Sequence, residues 1–113
     1  MKEVKAVIQP FKLGEVIDAL QTLPNIQGIT VLRATGFGRR RSGSGLEVPA
    51  SGSVNYVAKE MLLVVVPDDM VEPVLEVIQK HAHTGNYGDG LAFVTPVDEA
   101  VRLRTAERGE GAL

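Results

Sequence analysis

Met61-Leu62-Leu63-Val64-Val65-Val66-Pro67-Asp68-Asp69-Met70-Val71-Glu72-Pro73-Val74-Leu75-Glu76-Val77-Ile78 changes its hydrophobic period at Pro67. The run Met61 to Val66 is apolar at every position, as in a central strand covered on both faces. After the proline, Val71, Val74, Leu75 and Ile78 recur on one helical face. Asp69 with Glu72 three residues later predicts a capping box, and Pro73 sits near the first turn, where a missing N–H costs least. This helix runs out around Ala82. The same order of events occurs earlier. Val4, Ala6 and Ile8 alternate with Lys5, Val7 and Gln9, and Pro10 closes the strand. From Lys12, Leu13, Val16, Ile17, Leu20 and Leu23 form an apolar stripe that Pro24 and Asn25 end. Leu13, Ile17 and Leu20 align with Met70, Val74 and Val77 at a constant offset, so the chain repeats one strand–helix unit.

Each unit is completed by a further strand, Ile29–Thr35 and Leu91–Thr95, both rich in β-branched or aromatic residues. The order is βαβ, long connection, βαβ. Two such units give an α+β fold, the ferredoxin-like βαββαβ sandwich, with four antiparallel strands and both helices on one face. The strands at 4–9 and 61–66 are apolar on both sides, so the face without helices needs a cover. A second copy of the chain would supply it, and a domain of 113 residues gains stability from such burial. Residues 1–113 form one domain, with a segment of mixed, increasingly polar character from Val97 to Leu113.

The connection from Gly36 to about Val57 has no sustained periodicity. Ser42-Gly43-Ser44-Gly45 is linker-like, and Pro49 to Ser53 is small and polar. A hairpin needs about 2–5 residues, so a loop of this length points to function in binding more than to mere connection.

Composition narrows the function. The chain is 44% hydrophobic and 23% charged, with net charge −2. That is ordinary for a globular protein and argues against a general nucleic-acid binder. No stretch is long and apolar enough to span a membrane, and the N-terminus lacks a signal-peptide core, so the expected location is cytoplasmic. With no cysteine there is no thiol catalysis or thiolate metal site. His81 and His83 are two apart and point to different helix faces, a poor chelate. No Ser/His/Asp set is evident. Yet five of the seven arginines are clustered: Arg39, Arg40 and Arg41, then Arg102 and Arg104. Gly36-Phe37-Gly38 leads into the first group, and Gly88-Asp89-Gly90 precedes the last strand. Glycines that expose backbone N–H groups, joined by guanidinium forks, suit a polyphosphate. A Gly-x-Gly alone suits a tight turn better, and neither matches a dinucleotide or Walker pattern; the five arginines bring the binding reading level with the turn.

Taken in order, Gln9-Pro10-Phe11-Lys12-Leu13, Gln27-Gly28-Ile29-Thr30-Val31, Gly36-Phe37-Gly38-Arg39, Val64-Val65-Val66-Pro67-Asp68, Thr84-Gly85-x-x-Gly88-Asp89-Gly90 and Arg102-x-Arg104-Thr105 resemble the PII signal-transduction family across nearly the whole chain. The resemblance implies a homotrimer with adenine-nucleotide sites between subunits. It also implies a protruding T-loop (about 37–57) that docks on a target protein, a transporter or a metabolic enzyme, without insertion into the membrane. Thr30 and Val65 would flank the adenine. Gly36, Gly38, Arg39 and Arg40 would serve the nucleotide from the T-loop base, and Gly88, Asp89 and Gly90 from the B-loop (84–90). Arg102 and Arg104 would reach the phosphates from a neighbouring C-terminal segment (97–113).

Two positions depart from the pattern. Nitrogen-sensing members carry a glutamine that ligates Mg²⁺ and 2-oxoglutarate where this chain has Arg40, and a cation cannot coordinate a metal. They carry a phosphate-binding lysine where this chain has Leu91. Lys59 matches the lysine that pairs with 2-oxoglutarate and is a candidate small-metabolite contact. The place of the modified tyrosine falls near Gly52, so uridylylation is not expected. The expectation is a regulator that binds ATP, ADP or AMP and carries no catalytic cofactor, with Mg²⁺ and 2-oxoglutarate called into question by Arg40. A slow nucleotide hydrolase and a structural trimer with a vestigial site are the alternatives.

Overall fold

The repeated strand–helix unit is present in a computed structural model that describes residues 1–37, 41–42, 45–46 and 56–113. In chain order the elements are β1 (Lys2–Ile8), α1 (Leu13–Leu20), β2 (Thr30–Gly36), β3 (Arg41–Ser42), β4 (Gly45–Leu46), β5 (Val57–Val66), α2 (Val71–Ala82) and β6 (Gly90–Pro96). The main sheet has the order β2-β5-β1-β6, and every neighbouring pair is antiparallel. This is the ferredoxin-like arrangement. The two strands whose sequences are apolar on both sides, β1 and β5, are the central ones.

Alternation decides the layers. Val4, Ala6 and Ile8 of β1 and Leu62, Val64 and Val66 of β5 are buried in one cluster with Val16 and Leu20 of α1 and Val74 and Ile78 of α2. Full burial of such a side chain contributes about 1.5–3 kcal/mol, so this cluster is the main source of stability. On the opposite face the register aligns Leu32, Met61, Val7 and Leu91 in a row across all four strands. Lys5 and Phe93 lie in the next row, with the Lys5 ammonium 5.6 Å from the ring centre. Leu32, Leu91 and Phe93 are exposed there. The apolar face expected from the sequence is therefore real.

Several local expectations are corrected. Asp69 and Glu72 form no capping box: α2 is entered through a 3-10 turn at Asp68–Met70, and neither start carries a side-chain cap. The turn carries the helical path back past Asp69, so Asp69 does not stand at a bare N-terminus. Asp68 instead takes the N-terminal ammonium at 3.0 Å. That hydrogen bond, with the charge of Lys2, holds the Asp68 carboxyl below its ordinary range. A matching 3-10 turn at Pro10–Lys12 opens α1. The first helix ends at Leu20 and not at Leu23, and its path tightens into turns up to Leu23 before Asn25 adopts φ +64°. The long connection contains short paired segments, Arg41–Ser42 with Gly45–Leu46. The last central strand begins at Val57, four residues before the apolar run, because Val57–Glu60 pair with the end of β2. Lys59 is thus inside a central strand.

Gly90 fixes how closely β6 meets β1. Its φ is +105°, and a Cβ there would lie 1.7 Å from the carbonyl oxygen of Val7. Gly14, in α1, has nothing within 4 Å of the same position. Gly90→Ala should therefore cost about 3 kcal/mol or more, overpacking and left-handed strain combined. Gly14→Ala should add roughly 0.5–1 kcal/mol by restoring helix propensity. Urea unfolding of the two variants checks both, and equal midpoints would refute the close approach of β6 to β1.

Candidate functional site

The antiparallel register brings the C-terminal ends of β1 and β2 beside the N-terminal ends of β5 and β6. At that end stand Gly36, Lys59 and the loop 84–90. The stem of Lys59 passes within 3.4 Å of where a Gly36 Cβ would be, and its Nζ donates to the carbonyl of Gly88. Gly88, at φ +97°, turns that carbonyl toward the lysine. Lys59 thereby joins the base of the long loop to the loop before β6.

Asp89 ties the second loop together. Its carboxylate accepts from Thr84 N–H at 2.7 Å, Gly85 N–H at 2.9 Å, the Thr84 hydroxyl, and Gln9 Nε2 at 3.2 Å. His83 Nδ1 lies 3.7 Å away. These donors, the Thr84 hydroxyl foremost, hold the carboxyl far below the usual carboxylate range. Such an acid is a weak proton acceptor, which removes the obvious general base for a hydrolase. Its oxygens are committed to its own loop, so the expected contribution of Asp89 to a ligand falls to its backbone.

The other end of the sheet holds a different group. Thr30 and Val65 line one cleft of about 500 Å³, together with Gln27, Gly28, Leu63 and Leu113. The C-terminal segment folds back there. Val101 pairs with Arg108, and Arg102 N–H donates to Glu107 at 2.8 Å. The guanidinium of Arg102 donates to the main-chain oxygen of Leu113 at 2.9 Å, while Arg104 is exposed.

The residues singled out in the sequence thus fall into two clusters. Gly36, Lys59, Gly88, Asp89 and Gly90 share one end; Thr30 and Val65, with Arg102 tied in through Leu113, share the other. Lys59 and Val65 are six positions apart on β5, about 20 Å at a strand's rise. Gly38, Arg39 and Arg40 lie outside the described residues. Sequence reasoning missed Gln9 and Thr84 as partners of Asp89 and Leu113 as a wall of the cleft. Thr84, five residues before an acid in a glycine-rich loop, carried a usable signal; Gln9 and Leu113 arrive only through long-range pairing. His81 pairs with Glu15 of α1 at 3.1 Å, away from His83. Among the described residues no group of three potential ligands could hold a metal ion, and no helix is long and apolar enough to cross a membrane.

The described residues form a ferredoxin-like sandwich with a glycine-rich loop before β6 and cationic side chains at both ends of the sheet. A family model described as nitrogen regulatory protein P-II matches residues 1–107. Over all 113 residues and the full length of each relative, the chain is 48% identical to the nitrogen regulatory protein P-II of Azospirillum brasilense and 44% to that of Rhodospirillum rubrum. It is 41% identical over the same span to the nitrogen regulatory protein GlnK of Escherichia coli strain K12. The chain belongs to the nitrogen regulatory protein P-II family, and its role is that of a signal-transduction regulator and not of an enzyme.

The lowered pKa of Asp89 has a signed consequence. Its folded value lies below the unfolded value of about 3.9. Its contribution to stability is therefore fully present above about pH 4 and is lost as pH falls toward the folded value. Asp89→Asn should be less stable than the parent at pH 7, and the gap should narrow from pH 4 downward. Thermal unfolding at pH 7, 5, 4 and 3 measures this. Parallel curves for the two proteins would show that the carboxylate does not hold the loop.

Proposed function

We propose that the protein is a trimeric adenine-nucleotide sensor that acts on a transporter or a metabolic enzyme through the loop at 37–57. The observation that carries this reading is the split of the site. The two clusters sit at opposite ends of one sheet, farther apart than a mononucleotide spans. One chain therefore offers two halves of a site, and a head-to-tail neighbour would join them. Thr30 and Val65 of one copy would enclose the base. Gly36, Gly88, Asp89 and Gly90 of the next would offer backbone donors, with Gly38, Arg39 and Arg40 at the loop base. Arg102 and Arg104 would add charge beside the phosphates. The apolar row Leu32, Met61, Val7 and Leu91, exposed at its two outer members, supports the same assembly, because a closed ring would cover that face.

Regulation follows if the nucleotide binds one state of the long loop better than another. Gly36 begins the loop and packs on Lys59, which in turn holds Gly88. A phosphate bound between them would touch both elements. The ligand is ATP, ADP or AMP, with Lys59 available to a small anionic effector and no requirement for Mg²⁺.

Calorimetric titration with ATP, ADP and AMP, each with and without Mg²⁺ and 2-oxoglutarate, tests this reading. Binding of at least one nucleotide is expected. Arg104→Ala should weaken it about tenfold or more, the scale of one charge-assisted hydrogen bond. No heat with any nucleotide would leave a scaffold with a vestigial site. Binding that 2-oxoglutarate strengthens only with Mg²⁺ would show that Arg40 does not displace the metal.

A further inference from the structure

The cleft that holds Thr30 and Val65 has one wall of a different kind from the rest. Its other lining residues belong to β1, to β5 or to the stretch 25–30 that leads into β2, so the sheet fixes them. Leu113 alone comes from the C-terminal segment, and it is half-buried there. With Ile29, Leu63 and Val65 it makes the apolar part of the lining.

The segment that carries this wall is closed on itself. Val97 N–H ties its start to the carbonyl of Met1 at 3.1 Å. Beyond Val97, among the described residues, its hydrogen bonds stay within the segment. Val101 pairs with Arg108, and Ala106 N–H donates to the carbonyl of Arg102 at 2.8 Å. Gly109 N–H is shared between the carbonyl of Ala100 and the Glu99 carboxylate, each at 3.0 Å. The last turn, Gly109–Ala112, is a single 3-10 turn that Leu113 N–H closes on the carbonyl of Glu110 at 3.1 Å. Two of its four residues are glycine, which has the most conformational freedom to lose. A side chain supplies the tie that reaches Leu113 itself. Arg102, half-buried, donates from Nη2 to the main-chain oxygen of Leu113 at 2.9 Å. The donor is ionised and the bond is partly shielded from water, which places it among the stronger hydrogen bonds. Arg104, two positions on, is exposed.

We propose that Arg102 is a positioning residue for base recognition: its guanidinium pins Leu113 as a wall of the Thr30–Val65 cleft, and Arg104 is the arginine left to face the phosphates. The inference rests on the reading of that cleft as the one that encloses the base. It divides two arginines that the sequence presents as a pair. A wall held in place before the ligand arrives costs little to order on binding. Without Arg102, the glycine-rich last turn must be ordered by the base itself, and the loss falls on affinity for the base.

Calorimetry with ATP, ADP and AMP is run on the parent, Arg102→Ala, Leu113→Ala and the double variant. Arg102 and Leu113 lie outside the buried core, so the variants keep it. Each single change should weaken binding about fivefold, the scale of one lost hydrogen bond or of part of one apolar contact. The double variant should be no weaker than the weaker single, within about twofold, because both changes remove the same wall. Losses that multiply in the double variant overturn the proposal and make Arg102 a separate contact of the ligand. Amide exchange without nucleotide reads the pinning directly. Residues 109–113 should exchange faster in Arg102→Ala than in the parent, and at the parent's rate in Arg104→Ala. Equal exchange in all three overturns the pinning of Leu113 and leaves the nucleotide site standing. A parent that binds none of the three nucleotides overturns both readings.

Discussion

The register between β1 and β5 is the constraint on which the rest depends. Ile8 lies opposite Glu60 and Lys2 opposite Val66, with no bulge between. A slip of one residue would turn Val4, Ala6 and Ile8 away from the helices and set Lys5 and Glu3 in the core. The sheet's outer strands inherit their positions from this pair. β6 is aligned so that Gly90 meets Ile8, and β2 so that Gly36 meets Val57. The loop before β6 and the long loop after β2 are thus held at one end of the sheet by hydrogen-bond registry, before any side chain in either loop makes a contact. Lys59 then links them because it occupies a central strand that runs between both.

What the sequence made legible was periodic. The change to period 3.6 after Pro10 and again after Pro67 located both helices, and the doubly apolar runs identified the two central strands. Those signals are local and repeated, so several residues vote on each. The misreadings fell where one or two residues decided. Asp69 and Glu72 have the spacing of a capping box, but the preceding 3-10 turn leaves no bare terminus for Asp69 to cap. Val57 to Glu60 mix charge and small apolar side chains, so their strand state comes from pairing with β2 and has no pattern of its own. The site was legible as a set of residues and not as a geometry. Nothing in the sequence says that Asp89 also receives Gln9, because that partner, just after β1, is 80 positions away.

The electrostatics of the loop 84–90 resolve an apparent contradiction. An acid between two glycines is an odd choice beside an anion, since an unpaired carboxylate would repel it. Here its oxygens receive hydrogen bonds from four donors, and those bonds are what hold the carboxyl ionised. The charge is spent on shaping the loop. Gly88 and Gly90 on either side take positive φ, which bends the backbone around the carboxylate. A loop whose form is set by an internal anion is pre-organised, and a ligand binding there pays little to order it.

The proposed site has its two halves at opposite ends of one sheet, so an assembly that joins them would be directional. Such head-to-tail contacts generate rings when the rotation closes and filaments when it does not. The bare face of the sheet argues for closure. A filament would leave Leu32, Leu91 and Phe93 of every copy in water, whereas a ring that turns these faces inward buries them all at once. Burial of the faces would supply energy without direction, and joining the two half-sites at opposite ends of the sheet would supply direction. In the proposed assembly the nucleotide site would fall at the seam between two copies, next to the start of the long loop at Gly36.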